Sequence, residues 1–325
     1  MKNREPKYSV VVHYIEDCIR DGKLHVGDRI PSVNSLRIRF NLSRSSVLLG
    51  LSELKARGIV ESEPAVGCFV NSESFSTTHR ILLLFNEFNA FKENIYKSFM
   101  ASVGENVQVD IMFHNYNRNV FETLLRNAAG KYTDYVIMPG KFVGTAPLLD
   151  SLGGKIVLVD HFASDIKGRY SSVGQDFSAD TFNALRDNVK RLRKYDNIIL
   201  IQSTDMEPEE RFEGICEFCT EYGFYPIHLK TAAGCTPHKS DLFITAEDRE
   251  LVELIKTAAA CRKQPGTDFG LISYNDTPVK EVLCGGISTL STDFAQMGET
   301  LASLVFDPEI KTIANPCRLI IRGSV

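Results

Sequence analysis

From Arg80 onward, short apolar runs alternate with amphipathic stretches of helical length, and this alternation limits the possible folds more than any other feature. The runs are ILLLF (81–85), VQVDIMF (107–113), DYVIM (134–138), KIVLV (155–159), SSVGQD (171–176), NIILI (197–201), FYPIHL (224–229), LFIT (242–245), FGLIS (269–273), GGISTL (285–290) and CRLIIR (317–322). Between them the apolar spacing takes a helical period, which predicts helices over 91–103, 120–129, 177–195, 208–222, 247–263 and 294–306. Strands that are apolar on both faces, each followed by a helix, form parallel sheets covered on both sides. A stretch of this length exceeds one ordinary core, so two doubly wound α/β lobes are expected. Ligands of such sheets sit at the carboxyl ends of the strands, here in the cleft expected between the lobes.

The first seventy residues have another texture. Val11, Val12, Ile15, Cys18 and Ile19 fall on one stripe of a helix over Tyr8–Arg20, with Gly22 as its stop. The glycines and Pro31 that follow describe an ordered turn, and Ser32 can cap a second helix through about Arg39. Asn41 breaks that helix, and Ser43 caps a third that ends at Gly58. Ile59–Ser62 and Cys68–Val70 alternate apolar and polar residues around a turn at Pro64–Gly67, which predicts a hairpin. Three helices and a hairpin make a winged helix-turn-helix (α+β). The expected organisation is multidomain: 1–71 as the winged helix, 72–79 as a polar Ser/Thr-rich linker, and 80–325 as a two-lobed α/β domain.

Charge follows the same division. Residues 1–70 carry 11 Lys+Arg against 8 Asp+Glu, whereas the remainder carries 26 against 33. A basic head on an acidic body suits DNA contact confined to the head. No apolar run reaches the roughly 20 residues that span a bilayer, and the start, MKNREPKYSV, has no apolar signal core. A cytoplasmic location without membrane contact is expected, with the eight cysteines reduced. Cys216-x-x-Cys219 and Cys235-x-x-His238 have zinc-ribbon spacing. The first pair, however, lies inside the helical run RFEGICEFCTEYG beside Phe212, and buried thiols are the expected reading. Phosphate-binding Gly-rich loops, nucleophile elbows and metalloprotease motifs do not occur, so no enzyme, cofactor or metal is expected.

The residues Gly22, Val26-Gly27-Asp28-Arg29-Ile30-Pro31-Ser32, Leu36, Ser43-Arg44, Val47, Leu54, Gly58 and Gly67-Cys68-Phe69-Val70 resemble the GntR-type DNA-binding domain over about residues 8–70. The sequence departs from that pattern at Val33 and Asn34, where an acidic and a basic residue are usual, and at Leu48, where an Arg is common. The resemblance places Ser43, Arg44, Ser45 and Ser46 at the start of the recognition helix. Free N–H groups and the helix dipole favour phosphate there, and an Arg can read guanine bidentately. Ser32, Arg37, Arg57 and the wing glycine Gly67 are the further expected DNA contacts, and Arg39 can compensate for the missing basic positions. Regulators with this head and a fused aminotransferase need a longer body and a cofactor lysine.

The body carries a second resemblance. Val159-Asp160, Ser172-Val173-Gly174-Gln175-Asp176, Arg211-Phe212-Glu213-Gly214, Ile272 to Thr277, Ile287-Ser288-Thr289-Leu290, Met297-Gly298 with Ala302, and Leu319 to Ser324 occur in the order found in LacI/GalR-type effector domains. Those domains are similar to periplasmic sugar-binding proteins. The resemblance implies that Arg211 clamps sugar hydroxyls and that Asn275, followed by Asp276, takes the place of a sugar-binding Asp. It also implies ligand roles for Phe91 and Lys92 (near Asn89), for Asp160-His161, and for Gln175-Asp176-Phe177. Planar polar groups for hydroxyls beside an aromatic face for C–H groups are what a sugar requires.

Head and body together resemble arabinose-type repressors of sugar catabolism. The expected function is a ligand-responsive transcription regulator, a repressor of a carbohydrate-use operon. It would bind operator DNA as a homodimer, with a monosaccharide or derivative as effector; a pentose or 6-deoxyhexose is the expected type. The alternative is a sugar-binding receptor without sequence-specific DNA binding.

Overall fold

The computed structural model describes residues 8–63, 66–73, 79–104, 107–203 and 208–325. Residues 74–78 of the expected linker, the first seven residues and part of the hairpin turn lie outside the described residues. The chain forms two compact units, Met1–Gly174 with Phe294–Ile313, and Gln175–Asp293 with Ala314–Val325.

The first unit begins with the head: α1 (Ser9–Arg20), α2 (Val33–Phe40), α3 (Arg44–Ala56) and the hairpin β1 (Val60–Glu63) and β2 (Gly67–Val70). The apolar stripe of α1 is buried as its spacing predicts, against Leu36 of α2 and Val47, Leu51 and Leu54 of α3. Each such side chain contributes about 1.5–3 kcal/mol of burial energy against the entropy of ordering it. Ser32 caps α2 by accepting from Ser35 N (3.2 Å), and Ser43 caps α3 by accepting from Ser46 N (3.1 Å). Asn41 ends α2 in the left-handed region (φ 52°), a conformation Asn tolerates better than most residues.

The rest of this unit is a six-stranded sheet: β3 (His79–Phe85), β4 (Val107–Phe113), β5 (Asp134–Ile137), β6 (Lys155–Asp160), β7 (Ser171–Gly174) and a late strand described below. Helices α4 (Ala90–Ser102), α5 (Arg118–Ala128) and α6 (Ala146–Asp150) connect the first four. The second unit comprises α7 (Phe177–Arg186), α8 (Val189–Leu192), β8 (Asn197–Ile201), α9 (Glu210–Tyr222), β9 (Tyr225–Leu229), β10 (Asp241–Thr245), α10 (Asp248–Ala260), β11 (Gly270–Tyr274), α11 (Pro278–Val282) and β12 (Ser288–Thr292). The chain then returns to the first unit with α12 (Phe294–Phe306) and β13 (Thr312–Ala314), and finally to the second with β14 (Cys317–Ile320).

The two sheets share one plan. Their orders are β4-β3-β5-β6-β7-β13 and β9-β8-β10-β11-β12-β14, with the first five strands of each parallel in register. The order reverses direction beside β3 in one sheet and beside β8 in the other, and such switch points open a crevice at the strand carboxyl ends.

Three expectations change. The helix expected over 177–195 breaks at Asp187–Asn188, where the Asn188 side-chain amide donates to Ala184 O (2.9 Å) and competes with the backbone ladder. The strand expected from Gly285 starts at Ser288, because Gly285 (φ 76°) and Gly286 (φ 103°) turn the chain first. Strand β13 and helix α11 were not anticipated, being too short to show a period.

Candidate functional site

In the head, the Ser43 hydroxyl also lies 2.9 Å from those of Ser45 and Ser46, so three hydroxyls cluster at the N-terminus of α3. Arg44 is exposed in that same first turn, and Arg37 is exposed on α2, where it reaches Asn34 Oδ1 at 3.4 Å. The free N–H groups and dipole of α3, with the Arg44 guanidinium, make a surface suited to phosphate. Ser32 is committed first to capping α2. Arg39 donates to Tyr14 Oη (2.8 Å) and lies over the Tyr14 ring, so it braces α1 against α2.

Arg57 requires a correction. Expected at DNA, it forms an ion pair with Glu16 and a second with Glu53 (3.6 Å), and its side chain is only 14% exposed. It ties the end of α3 to α1. Gly67 has φ 155°, and a Cβ there would meet the Arg29 guanidinium at 2.8 Å.

In the first unit the expected ligand residues gather at the strand carboxyl ends. Asn89 caps α4 by accepting from the amides of Phe91 and Lys92, both at 3.1 Å. Lys92 runs back to Asp160, Nζ to Oδ2 at 2.5 Å, with both residues buried and Asp160 in the left-handed region (φ 69°). Two charges removed from water in this way are tolerable only as a pair. His161, next along, is partly exposed. The Phe91 ring stacks on Phe294 with centroids 5.2 Å apart, at the edge of the core between α4 and α12. It is therefore engaged in packing on this side, while the residue stays partly exposed.

In the second unit Arg211, on the first turn of α9, is 5% exposed. Its guanidinium carbon stands 4.3 Å from the Tyr274 ring centroid and 5.0 Å from that of Phe177. Such a cation held on aromatic faces keeps its planar donors oriented. Tyr274 Oη sits 2.6 Å from Thr181 Oγ1, and burial pushes its hydroxyl up to about 12. Asn275 is held with φ 62° by its own N–H on Leu290 O (2.8 Å) and by the buried Lys280, whose Nζ donates to the carbonyls of Tyr274 (2.7 Å) and Asn275 (2.8 Å). Gln175 is partly exposed, and the exposed Asp176 caps α7 by accepting from Ala179 N (3.1 Å).

Asp276 is held by an ion pair. Arg322 grips its carboxylate with two nitrogens, at 2.7 and 2.8 Å, and Thr289 donates to it at 2.9 Å. The Arg322 hydrogen bonds hold the Asp276 carboxyl below the usual range. Its acceptors are thereby engaged in joining the β11 turn to the residues after β14.

With this geometry in hand, the comparisons are specific. Residues 7–70 match the family "Bacterial regulatory proteins, gntR family". The match covers the head alone. Over 71 residues the chain is 35% identical to an uncharacterized HTH-type transcriptional regulator, YdfD, of Bacillus subtilis (strain 168). That stretch is 22% of this chain and only 15% of the relative. The body resembles a LacI family transcriptional regulator from Silicibacter pomeroyi (TM-score 0.63, 16% identity, 76% of this chain and 98% of that one). The chain also resembles the transcriptional regulator CelR in complex with cellobiose (TM-score 0.63, 15% identity, 87% of this chain and 90% of that one). Behind the GntR-type head, then, lies a two-lobed α/β body of LacI-type fold.

Around the LacI-type body's candidate residues, two groups escaped the sequence reading. Asp180 lies one turn after Asp176 on α7; it accepts from Asp176 N (3.1 Å), and burial pushes its carboxyl up to about 6. The Asp-x-x-x-Asp spacing at a helix start was its visible signal. In the first unit Asn86 donates to Tyr116 Oη (3.0 Å), which donates to Glu87 (3.2 Å). Tyr116 and Asn115 are consecutive left-handed residues (φ 55° and 48°), a conformation that no sequence period reveals. Cys219, of the zinc-like pair, lies in the core, where burial pushes its thiol up to about 12. Among the described residues, no group of three or more His, Cys, Asp or Glu side chains is placed to hold a metal ion, and no helix is long and apolar enough to cross a membrane.

Proposed function

We propose that this chain is a cytoplasmic, ligand-responsive transcription regulator that represses a carbohydrate-use operon. It acts as a homodimer whose two heads bind half-sites of a near-palindromic operator. A small sugar bound by the body lowers operator affinity. The observation that carries this reading is the pairing, in one chain, of a GntR-type head opening α3 with Ser43-Arg44-Ser45-Ser46 and a LacI-type body holding Arg211 between Phe177 and Tyr274. The Arg211 donors, the Asn275 amide and the aromatic faces offer what vicinal hydroxyls and C–H groups need. CelR, of the same fold, is seen with cellobiose, which supports a saccharide as ligand class.

Release from DNA requires the sugar to favour one of two states by roughly 1–3 kcal/mol, an ordinary allosteric coupling. The test is a mobility-shift titration of the purified chain on the DNA upstream of its own gene, with and without monosaccharides. A sequence-specific shift at physiological salt, relieved by one sugar, is expected; the absence of any specific shift sinks the reading. The effector itself is found by thermal shift, since a sugar at a hundred times its Kd stabilises by about 2.7 kcal/mol.

A second reading is a sugar receptor without sequence-specific DNA recognition. Leu48 favours it, an apolar side chain 43% exposed on α3, at a position where an Arg is common in the GntR-type pattern that the sequence resembles. Arg44→Ala separates the two, because a DNA-reading head must lose affinity and a receptor has none to lose.

A further inference from the structure

The hairpin of the head has a third strand-like edge. The segment Gly27–Ile30 pairs along β2, with Gly27 N on Val70 O (2.8 Å), Val70 N on Asp28 O (2.9 Å) and Ile30 N on Cys68 O (3.0 Å), and Arg29 bridges Phe69. Ile30 points into the core, so Arg29, its neighbour in an extended segment, faces outward. The Arg29 side chain, although exposed, is not free to wander. It runs along the hairpin toward the tip, where Nη2 donates to Val66 O at 2.6 Å. The Nε–Nη2 edge of its guanidinium passes close to Gly67. A Cβ at that position would stand 2.8 Å from Nε, 3.2 Å from Nη2 and 3.3 Å from Cζ.

We infer that Arg29 is a positioning residue for DNA binding: anchored on the Val66 carbonyl and seated on Gly67, it fixes the hairpin tip relative to the recognition helix. A two-stranded hairpin of four-residue strands has little order of its own. Pairing with 27–30 steadies its base, and the guanidinium steadies its tip. Gly67 is needed here because any side chain would displace the guanidinium. The fork matters too, since a lysine has no second nitrogen to lie beside Gly67 while its terminal group reaches the Val66 carbonyl.

The inference rests on the proposed DNA-binding reading, and the test separates the two. Arg29→Ala, Arg29→Lys, Gly67→Ala and the Arg29→Ala/Gly67→Ala double variant are made in the full chain. Each is titrated by fluorescence anisotropy against a labelled duplex from the chain's own upstream region. Each single variant should raise Kd about tenfold, lysine should not rescue, and the double variant should match the singles rather than multiply them, as expected for two residues in one contact. A purely stabilising role would lower Tm and leave the Kd of the folded fraction unchanged. An Arg29→Ala Kd within twofold of the parent, or a double variant near a hundredfold, overturns the inference. Hydrogen exchange supplies an arm that needs no DNA: Arg29→Ala should speed exchange in residues 66–70 about tenfold, with residues 79–174 unchanged. If the parent chain bound no duplex, the functional reading would fail, and unchanged exchange at 66–70 would separately overturn the anchoring of the tip.

Discussion

Two arginines near α3 divide into different jobs, although the sequence places both beside DNA. Arg44 is exposed, so Arg44→Ala should cost about 1–3 kcal/mol of operator affinity without shifting Tm, as binding and thermal unfolding together will show. Arg57→Met should do the reverse. It strands Glu16, a buried carboxylate, and should lower stability by about 2–4 kcal/mol. The Arg57 role was illegible because Glu16 is far from it in sequence and nothing in either residue's neighbourhood announces the pair. Asp276 hid its partner in the same way, since Arg322 lies 46 residues on. Asp180 offers a pH test. Its carboxyl titrates near 6 in the folded chain against an ordinary value of 3.8, so burial favours its neutral form. Stability from this group is fully present below about pH 4 and is lost as pH rises through about 6. Melting temperatures measured from pH 7.5 down to 4.5 should therefore show a rising contribution that Asp180→Asn abolishes. Asp276 works in the opposite sense: its stabilising pair with Arg322 is present above the ordinary carboxylate range and is lost as pH falls through its lowered folded value.

The helices meet at two glycines. A Cβ on Gly214 of α9 would sit 2.3 Å from Ser178 O of α7, and one on Gly298 of α12 would sit 2.4 Å from Ile95 O of α4. In both places helix backbones touch, and only glycine allows the approach. Gly214→Ala and Gly298→Ala should each destabilise by about 1–3 kcal/mol in chemical unfolding, despite the better helix propensity of Ala. Both glycines stood in motifs the sequence displayed, but their reason appears only in the packing. The strands were more legible. Runs such as ILLLF and NIILI became β3 and β8, because an apolar run bounded by polar turns has few alternatives once helices flank it. Where a short element depends on side-chain competition, as at Asn188, or on left-handed glycines, as at 285–286, periodicity carries no information and the boundaries moved.

The chain passes between its two compact units three times, so each unit is assembled from separated segments. The head is the exception, since residues 9–70 are contiguous and have their own core. A chain ended after Asp293 lacks α12, which packs on α4 in the first unit, and β14, which pairs with β12 in the second. Limited proteolysis of that truncated chain should leave the head intact and degrade the body throughout, whereas a resistant body fragment would show that the returning segments are dispensable. The two-lobed plan could be read from the alternation of strands and helices. The threading could not, because an apolar strand does not reveal which of two similar sheets it will join.

That threading sets an order in time as well as in space. At ordinary elongation rates, roughly 12 to 50 seconds separate the emergence of residue 70 from that of residue 313. During that interval the head is complete in sequence, while the segments that return to the two units are still to be made. In every newly made molecule, the whole of the head exists before either sheet of the body can be completed.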